Sequence, residues 1–124
     1  MEDKIEVNEY VRTNKGKIGK VVEIRLGFNK DLQVYQDIYK LDNGLWTILD
    51  YIVKHSKQLI DLIGCGDIVN RHLIIDKYED VDEYGNDFWC LIIEDDSLLN
   101  KTIREEDIQT ILTKESYMAN CYKV

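Results

Sequence analysis

The side chains able to move protons or attack electrophiles are few in this chain, and their spacing builds no familiar site. The histidines are His55 and His72, and the cysteines are Cys65, Cys90 and Cys121. His55 lies in Lys54-His55-Ser56-Lys57, but sequence neighbours seldom reach nucleophile-base geometry without a third group to orient them. A turn or capping role is expected for it. Zinc held by Cys65, His72, Cys90 or Cys121 would have to assemble from distant segments, since no Cys-x₂₋₄-Cys knuckle starts a site. An odd number of widely spaced cysteines also argues against a disulfide framework. Cys90, inside Phe88-Trp89-Cys90-Leu91-Ile92-Ile93, reads as a buried thiol. Asp42-Asn43 and Asp95-Asp96 imitate fragments of a hard-cation loop but lack its spacing and closing Glu. Gly64-Cys65-Gly66 lacks both the Gly-x-Gly-x-x-Gly run and the Gly-Lys-Ser/Thr ending of phosphate loops. The expectation is a protein that is not an enzyme and uses no cofactor or metal.

Charge is the stronger signal. The formal net charge is −8 over 124 residues, and residues 1–63 carry ten Lys/Arg against ten Asp/Glu while residues 64–124 carry six against fourteen. Twelve acids and three bases fall between Asp76 and Asp107. Such a field repels nucleic acid and attracts basic surfaces. The candidate partner-binding face is therefore Glu79, Asp80, Asp82, Glu83, Asp87, Glu94, Asp95, Asp96, Glu105, Glu106 and Asp107. Tyr78, Tyr84, Phe88 and Trp89 are candidate aromatic contacts. Carboxylates at phosphate-like spacings could fill the basic groove of a nucleic-acid-handling protein, with binding that weakens in salt. The alternative surface is a basic hairpin, Arg12, Lys15, Lys17 and Lys20 with Tyr10 nearby, which would serve a protein adaptor or a nucleic-acid-binding module. Direct nucleic-acid binding is disfavoured by Glu9, Glu23 and the net charge.

These residues must be positioned by short strands. Proline is absent, and Gly16, Gly27, Gly44, Gly64, Gly66 and Gly85 separate runs rich in Val, Ile and Tyr, the pattern of strands joined by turns. Strands are expected near 9–13, 18–24, 45–54, 67–70, 73–79, 88–94 and 100–104, with 31–40 ambiguous. The halves also match. Val7-Asn8-Glu9-Tyr10-Val11-Arg12 pairs with Cys65-Gly66-Asp67-Ile68-Val69-Asn70, and Val53–Ser56 leading to Ile60–Ile63 pairs with Ile103–Glu106 leading to Ile108–Ile111. The fold class expected is mainly β: tandem small SH3-like barrels with short helical turns, residues 1–63 charge-balanced and residues 64–124 strongly acidic. Val11, Val21, Ile24, Trp46, Ile48, Val53, Ile60, Val69, Ile74, Leu91, Ile93, Ile103, Ile108 and Ile111 would supply much of the core. A short helix after Thr113, its N-cap, is expected over 114–120. The alternative is a single α+β domain with helices at 28–40 and 114–120. No apolar run approaches the roughly 18 residues of a membrane span and nothing resembles a signal peptide, so a cytoplasmic protein with no membrane association is expected.

The set Tyr10-Val11-Arg12-Thr13-x-x-Gly16-x-Ile18-Gly19-Lys20-Val21, Ile52-Val53-Lys54-His55-Ser56-x-x-x-Ile60-Asp61-Leu62-Ile63-x-x-Gly66-Asp67-x-Val69-Asn70 and Ile108-x-Thr110-Ile111-x-Thr113-Lys114-Glu115 resembles a family of small, poorly characterised proteins. These occur in clostridial and related Gram-positive bacteria, often in phage or prophage genes. The resemblance implies a setting, that of a phage or mobile element. That setting favours a regulator, or an inhibitor of a host-defence system of the anti-CRISPR kind, over a metabolic enzyme, and the charge asymmetry adds the expectation that it binds a basic, nucleic-acid-handling host protein.

Overall fold

The computed structural model describes residues 4–94 and 101–120. The chain is mainly β and divides into two compact units, Met1–Gln58 and Leu59–Val124. The division falls ahead of Gly64 because Ile60 and Ile63 are buried in the core of the second unit.

In the first unit, β1 (Tyr10–Thr13), β2 (Ile18–Asn29), β3 (Val34–Leu41) and β4 (Trp46–Ile48) are followed by a 3₁₀ turn, Leu49–Tyr51, and by β5 (Ile52–Ser56). The sheet is antiparallel in the order β4-β3-β2-β1-β5. The closing strand thus returns beside the opening one, with Val11 opposite His55. Ile5, Val11, Val21, Tyr39 and Leu41 form the core, flanked by Ile24 and Ile52. Each fully buried aliphatic chain of this kind contributes roughly 1.5–3 kcal/mol relative to exposure. Gly19 is small for a reason: a Cβ there would lie 2.8 Å from the Cβ of Leu41.

The second unit opens with a 3₁₀ turn, Leu59–Leu62, followed by β6 (Ile68–Val69), β7 (His72–Val81), β8 (Asp87–Ile93) and β9 (Thr102–Arg104). A further 3₁₀ turn, Glu105–Asp107, leads into β10 (Ile111–Leu112) and the helix α1 (Lys114–Asn120). Its antiparallel order is β10-β6-β7-β8-β9. Ile60, Ile63, Val69, Ile74, Leu91, Ile93 and Ile103 form its core, with Trp89, Ile108 and Ile111 packed against it.

The two sheets have the same connectivity and share local detail. The second strand of each is bulged against the third, between Val21 and Glu23 and between Ile74 and Asp76. Asn8 N–H donates to Val21 C=O and Val21 N–H to Glu9 C=O, while Gly66 N–H donates to Ile74 C=O and Ile74 N–H to Asp67 C=O. Asn8 and Gly66 both hold positive φ, 79° and 96°. The pairing of 7–12 with 65–70 therefore coincides with shared hydrogen bonds. The second expected pairing does not: Val53–Ser56 lies in or beside β5, whose counterpart is β10, whereas Ile103 and Arg104 lie in β9, the counterpart of β4.

Other expectations need correction. Residues 28–40 form no helix, because β2 runs to Asn29 and β3 starts at Val34. The turn between them is closed by Asn29 Oδ1, which accepts the N–H groups of Asp31 and Leu32, and by Gln33 at φ 57°. The strand expected at 45–54 is two strands broken by a 3₁₀ turn. Trp46 and Val53 are 44% and 59% exposed rather than core. On β4 the buried position belongs to Thr47, opposite Tyr39, while Trp46 pairs with Lys40 on the other face. A helix does follow Thr113, whose Oγ1 accepts Ser116 N–H, as an N-cap does.

Candidate functional site

Alternation along β7 and β8 divides the acidic candidates between two faces. Lys77, Glu79 and Val81 pair with Leu91, Trp89 and Asp87 on the face that Leu91 buries. Tyr78 and Asp80 pair with Cys90 and Phe88 on the opposite face. The aromatic candidates separate likewise. Trp89 packs on the core with Lys77 Nζ 5.2 Å from its ring centroid. Phe88 lies 4.1 Å from the Arg104 guanidinium carbon, and the Tyr78 hydroxyl is pushed above its ordinary value, first by neighbouring Cys90. Cys90 itself is buried, and Cys65 is exposed.

The arm ends in a turn that one carboxylate holds. Asp82 Oδ1 accepts the N–H groups of Tyr84 and Asn86, each at 2.9 Å. Those bonds, the one from Asn86 first, draw its carboxyl below the ordinary value. Tyr84, 81% exposed, stands at the tip with Glu83 beside it. The arm thus brings together Glu79, Asp80, Asp82, Glu83 and Asp87. Glu105, Glu106 and Asp107 belong to the 3₁₀ turn after β9 and have local work: Glu105 Oε2 accepts Ile60 N–H, Glu106 pairs with Arg104, and the Asp107 carbonyl accepts from Asn70 Nδ2. Glu94 is exposed just beyond β8. Asp95 and Asp96 lie outside the described residues. Among the described residues no three His, Cys, Asp or Glu side chains gather as metal ligands, and no helix is long and apolar enough to cross a membrane.

Of the basic hairpin, Arg12 is buried, at 5% exposure, while Lys15 and Lys17 are exposed on the turn. Lys20 Nζ lies 5.6 Å from the Tyr10 ring centroid. Beside this turn is a cavity of about 450 Å³ lined by, among others, Lys15, Lys17, Trp46 and Tyr51.

Three features escape a reading of the sequence. The first is the far end of the β2–β3 arm, where Leu26, Phe28, Leu32, Val34 and Tyr35 are exposed, with Phe28 and Tyr35 rings 5.0 Å apart. Leu26 and Phe28 continue the face that buries Ile24 and Tyr39, so the apolar alternation after Ile24 was the available signal. The second is the cavity, whose walls come from four separate segments. The third is a pair of buried acids. Glu9 Oε2 accepts Glu6 N–H at 2.6 Å and Oε1 lies 2.9 Å from His55 Nδ1. Asp67 accepts Gly64 N–H and Lys114 N–H, each at 2.9 Å. His55 is accordingly a strand residue that secures Glu9, not a turn or cap.

Glu9 gives a pH dependence with a definite sign. Burial acts to raise its carboxyl, but the His55 and Glu6 hydrogen bonds, with the charges of His55 and Lys57, outweigh it and hold the group below the ordinary carboxyl value. A carboxylate lowered in the folded state stabilises above its unfolded value, and loses that contribution as pH falls through the folded one. Denaturant midpoints measured from neutral pH down to about 2 should fall more steeply for the native chain than for Glu9→Gln, the difference developing below the ordinary carboxyl value. Parallel curves would show that Glu9 carries no such linkage.

No family model, curated protein or solved structure matches the chain.

Proposed function

We propose that this is a non-enzymatic binding protein of a phage or mobile element, an inhibitor or regulator whose β7–β8 arm enters the basic groove of a host protein that handles nucleic acid. A host-defence effector, as in anti-CRISPR inhibition, is the partner class. The carrying observation is the arm itself: five carboxylates between Glu79 and Asp87 surround Tyr84 and Val81, which are 81% and 55% exposed. Carboxylates on both faces suit insertion between two basic walls better than docking against a plane. Tyr84 and Val81 offer contact area that salt does not screen. The shared strand order, with a 3₁₀ turn before each closing strand, supports reading each unit as a small SH3-like barrel, a scaffold with long hairpins for presentation. The expected compartment is the host cytoplasm.

Asp82 should be left intact in the test, since it holds the turn. Asp80→Lys/Glu83→Lys is expected to weaken binding of a partner captured from host extract by about tenfold or more, and added salt should weaken the native complex. Undiminished binding by that variant would sink this reading. So would tight binding of nucleic acid by the purified chain alone.

A further inference from the structure

The cavity in the first unit lies far along the chain from the acidic arm and has different chemistry. Buried Thr13, Leu41 and Thr47 contribute to its lining, as do Leu45, Trp46 and Tyr51, which are 43%, 44% and 53% exposed. Lys15 and Lys17 add positive charge. Its volume of about 450 Å³ is in the range of sites that take a large side chain or a small molecule. Two of the lining residues, Trp46 and Thr47, belong to β4, and β4 ends its sheet.

An edge strand beside a cavity is the arrangement that accepts an extended peptide. The incoming chain adds main-chain hydrogen bonds to the edge, and its alternate side chains are sorted between pocket and solvent. The lysines set the sign of the charge that must accompany the side chain entering the cavity. We infer that the first unit binds an extended acidic peptide by strand addition to β4, with an aromatic or aliphatic side chain in the cavity and neighbouring carboxylates at Lys15 and Lys17. A nucleic-acid strand fits less well. A phosphate backbone needs a continuous basic track rather than two lysines. This site does not depend on the β7–β8 arm.

The test uses the full ¹⁵N-labelled chain and amide chemical shifts. The probe is a pool of heptapeptides with Asp or Glu at alternate positions and Val, Leu, Ile, Phe or Tyr between them. The acidic pool is expected to shift the amides of residues 13–17 and 45–51. Lys15→Glu/Lys17→Glu should weaken it about tenfold, with amides elsewhere in the unit unmoved in the free variant. Methylating alternate backbone nitrogens of the pool should abolish binding, because strand addition needs those N–H groups. Asp80→Lys/Glu83→Lys should bind the pool as the native chain does, which separates failure of this site from failure of the acidic-arm reading. Any of three results overturns the inference: no shifts at these amides with the pool at millimolar concentration, equal binding of a Lys/Arg pool, or tighter binding of a thymidine oligonucleotide at the same amides.

Discussion

Asp67→Ala is expected to lower the unfolding free energy by about 3 kcal/mol, through two charge-assisted hydrogen bonds lost in a buried place. Asp67 is 1% exposed; its Oδ2 accepts Gly64 N–H and its Oδ1 accepts Lys114 N–H. Alanine leaves both donors facing a gap that its methyl group cannot satisfy. Asparagine is the instructive control. Its side chain offers one acceptor oxygen and, on the other side, an NH₂ group that would meet a second donor. Asp67→Asn should therefore fall between the native chain and Asp67→Ala in a urea titration. If Asp67→Asn matches the native midpoint, the two-acceptor account is wrong.

Lys77→Met should cost about 2 kcal/mol, and should do so without a cavity, since methionine keeps most of the aliphatic stem. What is lost is the ammonium. Lys77 lies on the core-facing side of β7, and its Nζ donates to the carbonyls of Ile60 and Ile63 at 3.1 and 3.3 Å. Ile60 lies within the Leu59–Leu62 turn, where its carbonyl also accepts Ile63 N–H, and Ile63 follows that turn directly. The lysine thereby fastens the root of the acidic arm to the Leu59–Leu62 turn. Calorimetric unfolding of Lys77→Met beside Leu91→Met, which is nearly volume-conserving and buried in the same sheet, would separate lost bonding from repacking. Equal small losses for both would remove the bonding role assigned to Lys77.

The parts legible in the sequence are those where alternation and burial agree. Val11, Val21, Val69, Ile74 and Leu91 read as core because each stands in an apolar run and each is completely buried. The segment 34–41 resisted because β3 leaves the core partway: Val34 and Tyr35 are exposed while Tyr39 and Leu41 are buried. No single period describes a strand that begins as an arm and ends in a core. Trp46 misled through its size, since Thr47 occupies the inward position and Trp46 lies 5.5 and 5.7 Å from Arg25 and Lys40 instead. The acidic candidates were visible as runs, but a run is a one-dimensional object, and pleating sent Glu79 and Asp80 to opposite faces. Glu105 and Asp82 looked like surface charge and are partly architectural, because the donors they satisfy, at Ile60, Tyr84 and Asn86, give no mark in the sequence.

Each buried acid reaches a residue almost one full unit further along the chain, His55 46 positions after Glu9 and Lys114 47 positions after Asp67. Order of formation follows from those separations. The hairpins β2–β3 and β7–β8 join neighbours across short turns and can form within microseconds, whereas the acids and the strands beside them must wait for a long loop to close. Each unit accordingly completes itself by a late, slow event at its own two ends. During synthesis the first unit has all the residues of its closing strand once Ser56 has emerged, and the second must await Leu112. For that interval the acidic arm can exist as a hairpin on a sheet whose opening strand has no neighbour on one side.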